Sequence, residues 1–388
     1  MDFDIGLGWI LLGLPVAFVL GWLASRFDLR QLRMENRQAP KAYFKGLNYL
    51  LNEQQDQAID AFIEAVQNDP DTSELHFALG NLFRRRGEYE RAVRVHQHLL
   101  SRGDLGRIDR ERAQHALALD FLKAGLLDRA EEALRRLEGT PFEEQARLAL
   151  LAIYERSRDW EQAAAITARL TTSGQGNFTT RRAHYLCEQA ATQAAAGQTD
   201  AALALLKQAQ DTAPEAPRPR IELAQLQRQA GQASASFDTL RTLLDVSPTA
   251  LPLVAAPFAE TAQACGRADE ALALLTAYYE QNPSLDVLDA VVGLQQAVPD
   301  TAGRTGRDWY VRHLEREPSL VAAAKWLAGE QLQEEQFHPI VQRALDHATK
   351  PLMRFRCAAC GFEAKQHFWH CPGCQTWDSY PPRRVEEL

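Results

Sequence analysis

A chain of 388 residues with 46% hydrophobic and 24% charged side chains is too long for one simple core and too apolar for disorder, so two or more folded domains are expected. Its net charge of -8 excludes broad nucleic-acid binding, which needs a basic face to displace counterions from phosphates, although a local basic patch remains compatible with it. Of the six cysteines, four sit in paired knuckles near the end, while Cys187 and Cys265 lie far apart in helical sequence; a reducing compartment is expected, with those two as small core residues.

The first predicted element runs from Ile5 to Ala24. It is uncharged and, at about 1.5 Å rise per residue, long enough to cross a hydrocarbon layer of about 30 Å. Trp9 and Trp22 stand near its ends as interfacial anchors, and Pro15 is tolerable in lipid. Only Asp2 and Asp4 precede it with charge, whereas Arg26, Arg30, Arg33 and Arg37 follow, so the positive side stays inside and the N-terminus faces outward. A cleavable signal would carry its positive charge first. Gly13, Ala17 and Gly21 line one helix face and would allow a second membrane helix to approach. Residues 1–25 are thus read as a transmembrane anchor and 26–40 as a basic juxtamembrane segment.

Residues 41–283 carry a repeat. Ala58 and Ala92, like Gly46 and Gly80, are 34 positions apart, the period of paired helices. Gly46, Tyr49, Ala58, Phe62, Ala65 and Pro70 stand at tetratricopeptide spacing; Leu79, Gly80, Phe83, Gly87, Tyr89 and Ala92 repeat it. Weaker copies follow, marked by Ala130, Ala163, Ala202, Ser236 and Ala271, about seven in all. Small residues let paired helices approach, Gly87, Gly125, Gly197, Gly231 and Gly266 turn the chain, and Pro70, Pro214, Pro248 and Pro283 end second helices. Gly103–Glu111 and Thr171–Thr180 are read as loops. Residues 284–350 stay helical without aligning to the repeat, as degenerate or capping units. Such an array offers its first helices to protein partners. Asn48, Asn81, His76 and Arg84 are candidates there, weighed against ordinary solvated positions; Arg84-Arg85-Arg86 reads as a solvated helix end opposing the helix dipole.

Residues 351–388 hold Cys357-Ala-Ala-Cys360 and Cys371-Pro-Gly-Cys374. Two C-x-x-C turns aim four thiolates at one metal ion in a tetrahedral site, and Gly361 and Pro372-Gly373 suit such turns. His370 is read as lying outside the ligand set. Phe355, Phe362, Phe368, Trp369 and Trp377 would form the small core around it. Zinc and iron both suit four sulfurs; the knuckles look like those of rubredoxins, which implies iron, with zinc as the alternative. No Gly-rich phosphate loop, H-E-x-x-H, G-x-S-x-G or isolated carboxylate pair points to an enzyme.

The anchor with its arginines, Gly46-Leu-Asn48-Tyr-Leu-Leu51, the repeat LGNLFRRRGEYERAVRVHQ, and the tail RFRCAACGF with FWHCPGCQTW resemble the lipopolysaccharide assembly protein B family of Gram-negative bacteria. The resemblance implies an all-α fold: a tetratricopeptide solenoid with an N-terminal transmembrane helix and a rubredoxin-like tetrathiolate module ligated by Cys357, Cys360, Cys371 and Cys374. It implies a single-pass inner-membrane protein whose bulk is cytoplasmic, not an enzyme but an adaptor. In that role it would promote degradation of the deacetylase that commits precursor to lipid A, by a membrane-anchored AAA+ metalloprotease. A membrane regulator sensing lipopolysaccharide would control it, and a homodimer through the anchor is open. The rival is a rubredoxin-type electron carrier with an interaction solenoid.

Overall fold

The computed structural model describes residues 18–20, 22, 43–172, 174, 176–297, 306–329 and 338–388. Most of the expected anchor and all of the basic segment after it lie outside these residues, and among the described residues no helix is long and apolar enough to cross a membrane. The chain divides into two compact units, Met1–Ser157 and Arg158–Leu388. The first contains α1 (43–51), α2 (Gln55–Asn68), α3 (Ser73–Arg86), α4 (Tyr89–Ser101), α5 (Arg107–Lys123), α6 (Leu127–Arg135) and α7 (Glu143–Ser157). In the second are α8 (Trp160–Thr172), α9 (Thr179–Ala195), α10 (Thr199–Thr212), α11 (Pro217–Gln229), α12 (Ala233–Val246), α13 (Ala255–Ala264) and α14 (Ala268–Gln281). They are followed by α15 (Leu285–Ala297), α16 (Gly306–Arg316), α17 (Leu320–Ala328) and α18 (His338–Thr349), and by the cysteine module.

One turn design recurs. Gly87, Gly125, Gly197, Gly231 and Gly266 all have φ between 72° and 84°, and the amide after each donates back to the carbonyl five residues earlier, as Glu88 does to Phe83 and Arg267 to Ala262. This is the Schellman end of a helix, where the left-handed residue frees the chain to reverse. Glu53, with φ 59°, takes the same place after α1, its follower Gln54 donating to Tyr49; Arg158, with φ 58°, does so after α7. Helices α2, α10, α12 and α14 each stop two residues short of the expected prolines. The residue before proline is pushed out of the α region, and Asp69, Ala213, Ser247 and Asn282 indeed sit at φ near -140° with ψ of 63° to 82°. The expected loops shrink, since Arg107–Glu111 opens α5 and α8 runs through Thr172.

Close approach of paired helices rests on Ala58, Ala92, Ala130, Ala163, Ala202, Ser236 and Ala271, every one of them buried. At Gly80 the approach is tightest: a Cβ there would meet the His96 ring at 2.5 Å. His96 is wholly buried and tied through Nδ1 to Asp120, so the ring has nowhere to go. Alanine is worth about 1 kcal/mol over glycine in a helix, but overpacking costs about 1–3 kcal/mol. Gly80→Ala is therefore expected to be net destabilising by about 1 kcal/mol, measured by denaturant unfolding; a stabilised variant would show that His96 is free to move.

Asp120 is itself fully buried and also takes Arg84 at 2.8 Å. Arg84 is thus a structural group linking α3 to α5, not a solvated helix end, because leaving a buried carboxylate unpaired would cost several kcal/mol. Arg86 does face outward, near Asp56 and Glu88. His76 is buried, with Nδ1 3.2 Å from the Thr72 carbonyl oxygen, and burial lowers its pKa. Asn81 accepts from Arg84. Of these three polar residues Arg84 links one repeat to the next, while the bonds of His76 and Asn81 stay within α3 and its lead-in.

Past Pro283 the helices continue to pair, with α16 against α15 and α17, and α17 against α18. Among the described residues, strand structure departs from an all-α reading in the cysteine module, which opens on an antiparallel pair, Phe355–Arg356 with Glu363–Ala364.

Candidate metal centre

Each C-x-x-C turn is built the same way. The Cys357 amide donates to Phe362 O at 2.9 Å while Gly361 N donates back to Cys357 O at 2.9 Å; the Cys371 amide donates to Thr376 O at 3.0 Å while Gln375 N donates to Cys371 O at 2.9 Å. Gly361 supplies the left-handed residue of the first knuckle with φ 77°, and in the second that place falls to Gln375 at 59°, not to Gly373. Gly373 lies against Phe362, where an added Cβ would make only ordinary contact at 3.4 Å.

These turns bring all four sulfurs within 4.8 Å of one another. Across the pair, Cys357 Sγ lies 3.8 Å from Cys374 Sγ, and Cys360 Sγ 3.7 Å from Cys371 Sγ. A tetrahedron with metal–sulfur bonds of about 2.3 Å has edges of about 3.8 Å, whereas a disulfide would draw two sulfurs to about 2.05 Å. The donor set therefore fits a four-coordinate metal and not a bridge. Cys357 and Cys371 are buried, Cys360 and Cys374 exposed, so one edge of the site faces out.

Thiol chemistry points the same way. Burial resists ionisation of Cys357, but the nearby Ser379 hydroxyl, at 3.2 Å, and the amides of Cys360 and Ala359 outweigh it and bring the thiol down to about 6. Contact with Thr376 likewise lowers Cys374. Cys360 goes up to about 12: the Phe362 amide favours its thiolate, yet burial and the three other sulfurs overrule it. Several thiolates cannot share so small a volume without a cation, and a tetrahedral ion supplies the missing positive charge.

The core beneath the sulfurs consists of Phe355 and Tyr380 with Phe368 and Leu253 against them. Phe362, expected inside, is 43% exposed, while Trp369 and Trp377 turn toward the repeats. Trp377 stacks on His184 of α9 at 4.9 Å and meets Trp160 and Tyr185 edge-on at 6.0 and 5.7 Å. His184, 2% exposed, places Nε2 2.9 Å from both carboxylate oxygens of Asp378. Its Nδ1 faces the guanidinium of buried Arg218 at 3.5 Å, and Arg218 is paired with Glu188 and Glu222. One tautomer satisfies both sides: Nδ1 accepts from Arg218 and Nε2–H donates to Asp378. His370 lies outside the sulfur cluster, Nε2 donating to Gln375 O and the ring stacked on Trp377 at 4.3 Å. Burial lowers the pKa of His367, whose Nε2 is 3.0 Å from the Tyr380 carbonyl oxygen.

A second attachment lies in the last five residues. Arg384 grips Asp286 of α15 with two bonds of 2.8 Å and covers the Phe355 ring at 4.1 Å. Glu387 accepts from the Leu285 amide at 2.6 Å, and Glu386 accepts from the amides of Leu320 and Val321. Two carboxylates thus sit at the starts of α15 and α17, where unpaired amides and the helix dipole favour negative charge. Burial raises the Glu387 pKa, with the amides of Arg384 and Leu285 working against it. The module is thus attached to α8 and α9 through Trp377 and Asp378, and to α15 and the start of α17 through Arg384, Glu386 and Glu387.

Nothing in the sequence analysis marked His184, Arg218, Asp286, Ser379, Tyr380, Glu386 or Glu387. The only local hint is the polar run after Cys374, since docking partners far away in sequence leave no spacing to read. Cys187 is buried, its thiol pushed up by desolvation, and Cys265 is partly buried, in keeping with small core residues.

Helix hairpins of tetratricopeptide design ending in a strapped four-cysteine knuckle pair define a tetratricopeptide-repeat protein with a rubredoxin-type metal-binding domain. Family comparison agrees: residues 355–381 match the rubredoxin metal binding domain, and residues 75–110 and 193–256 match the tetratricopeptide repeat. Lipopolysaccharide assembly protein B of Escherichia coli K12 is 29% identical over 379 residues, covering 96% of this chain and 97% of its own; the Haemophilus influenzae protein of that name is 24% identical over 96% of this chain and 98% of its own. The resemblance to the lipopolysaccharide assembly protein B family is thereby borne out along nearly the whole sequence. Among solved structures, a tetratricopeptide repeat protein from Parabacteroides merdae aligns at 15% identity with a TM-score of 0.34, over 67% of this chain and 99% of that one.

Proposed function

We propose that this chain is a non-catalytic adaptor in lipopolysaccharide assembly, tethered to the inner membrane by residues 1–25 and otherwise cytoplasmic. In this reading 26–40 is a basic juxtamembrane segment, 41–283 the interaction repeats, 284–350 capping helices and 351–388 the metal module. Cys357, Cys360, Cys371 and Cys374 ligate one structural metal ion, iron on the rubredoxin resemblance, with zinc as the alternative. The observation that supports it most is the match, end to end, to relatives named for lipopolysaccharide assembly, in a chain built as repeats of an interaction type.

The adaptor holds the lipid A committed-step deacetylase beside a membrane-anchored AAA+ protease, under an inner-membrane regulator, and works by raising local concentration without new chemistry. Affinity capture with the full chain in detergent is expected to recover both protease and deacetylase, and deletion of residues 1–25 to lengthen deacetylase half-life several-fold. Recovery of a reductase, together with reversible visible absorbance changes at the metal, would replace this reading by electron transfer.

A further inference from the structure

Where α18 meets the metal module there is a cavity of about 570 Å³, lined by Asp346, Lys350, Met353, Arg354, Lys365 and Arg384 together with Thr349. Its volume lies within the range of about 300–1,000 Å³ that small ligands use. In a chain of net charge -8, this wall carries four cations against one carboxylate.

The charges can be followed one by one. Arg384 is committed to Asp286. Arg354 reaches Glu363 only at 3.7 Å, and that carboxylate is already taken by Arg356 at 2.7 Å. Asp346, the one acid in the wall, accepts from the Gln342 amide at 2.8 Å. Lys350 and Lys365 are exposed and have no acidic partner among the described residues. Two free ammonium groups and a half-satisfied guanidinium around a cleft open to solvent on one side form a receptor for a compact anion of more than one charge, since each added cation contributes its own attraction. The Met353 side chain and the lysine stems leave an apolar wall for a small substituent.

We propose that this cavity binds a phosphate monoester dianion, with Lys350 and Lys365 supplying the decisive charge and Arg354 a guanidinium bond. The wall draws on the end of α18, the lead-in to the first knuckle, the module hairpin and the final strap, so a bound ligand ties together the segments that hold the module in place. By linkage, occupancy stabilises that arrangement. This inference stands apart from the adaptor reading, because neither the client nor the protease enters it.

The test uses the full chain, metal retained, in detergent and in vesicles, with Lys350→Gln/Lys365→Gln as the variant; neither lysine side chain makes a hydrogen bond or ion pair among the described residues. Titration calorimetry with glycerol 3-phosphate is expected to give saturable binding, one per chain, weakened about tenfold or more in the variant and by high salt, while metal content and melting temperature stay unchanged. Phosphatidic acid vesicles present the same monoester on a lipid, with phosphatidylcholine vesicles as the control for the N-terminal segment. Variant-sensitive retention on phosphatidic acid alone, without glycerol 3-phosphate binding, would support the site and assign it a lipid source; binding of the soluble ester would assign a metabolite. Absence of variant-sensitive binding in both arms would overturn the proposal.

Discussion

Replacing Cys357 and Cys360 together by serine is expected to abolish metal content and unfold residues 351–388, while the helix hairpins of the first unit remain folded. Serine is neither a thiolate nor a soft ligand, so two of four bonds are lost and no tetrahedral site survives. The module has a core of four buried side chains, two of them the cysteines Cys357 and Cys371, far too little to fold a segment of this size unaided. Structural zinc sites contribute about 10–16 kcal/mol of apparent binding energy, nearly all of it folding energy, which exceeds anything the surrounding contacts offer. Elemental analysis should fall from one metal per chain to none, and limited tryptic proteolysis should cut rapidly after Arg354 and Arg356. A strong chelator acting on the unaltered chain should give the same cleavage pattern. A serine variant that kept its metal, or whose tail stayed resistant to protease, would remove these cysteines from the ligand set.

Features written in neighbouring residues were readable from sequence, and features made by distant residues were not. Gly87, Gly125, Gly197, Gly231 and Gly266 announced turns because a left-handed backbone favours glycine; the same conformation at Glu53 and Arg158 left no mark, since nothing in a glutamate or an arginine favours it. Prolines fixed four helix ends through a purely local clash. The sulfur cluster was legible because C-x-x-C spacing is a turn rule. By contrast, His184 and Asp378 are 194 residues apart and Arg384 and Asp286 are 98 apart, so the docking of the module could not be derived from any spacing. Arg84 shows the same limit from the other side: three consecutive arginines read as a solvated run, yet the first is drawn inward by Asp120, 36 positions away.

Trp377→Ala is expected to separate docking from metal binding. The indole is 9% exposed and lies at the centre of four rings, His184, His370, Trp160 and Tyr185. Truncating a buried aromatic of this size typically costs about 3–5 kcal/mol through lost burial and the cavity left behind. Nearly all of that cost falls on the face toward α8 and α9, because Phe355, Tyr380 and Phe368, which support the sulfurs, do not depend on this ring. Asp378 would lose its alignment with His184, leaving that imidazole and Arg218 in a cavity open to water, and the strap at Arg384 would hold the module at one end only. The variant should therefore keep one metal per chain while Lys350–Arg354 becomes protease-sensitive and the amides of α9 exchange faster with solvent. Loss of metal in this variant would mean that the repeats hold the four sulfurs in place; unchanged protection of α9 would mean that the C-terminal strap alone fixes the module. If the proposed adaptor role holds, comparing deacetylase half-life in this variant with the Cys357→Ser/Cys360→Ser pair then decides which property that role needs, since only the serine pair removes the metal whereas both release the docked face.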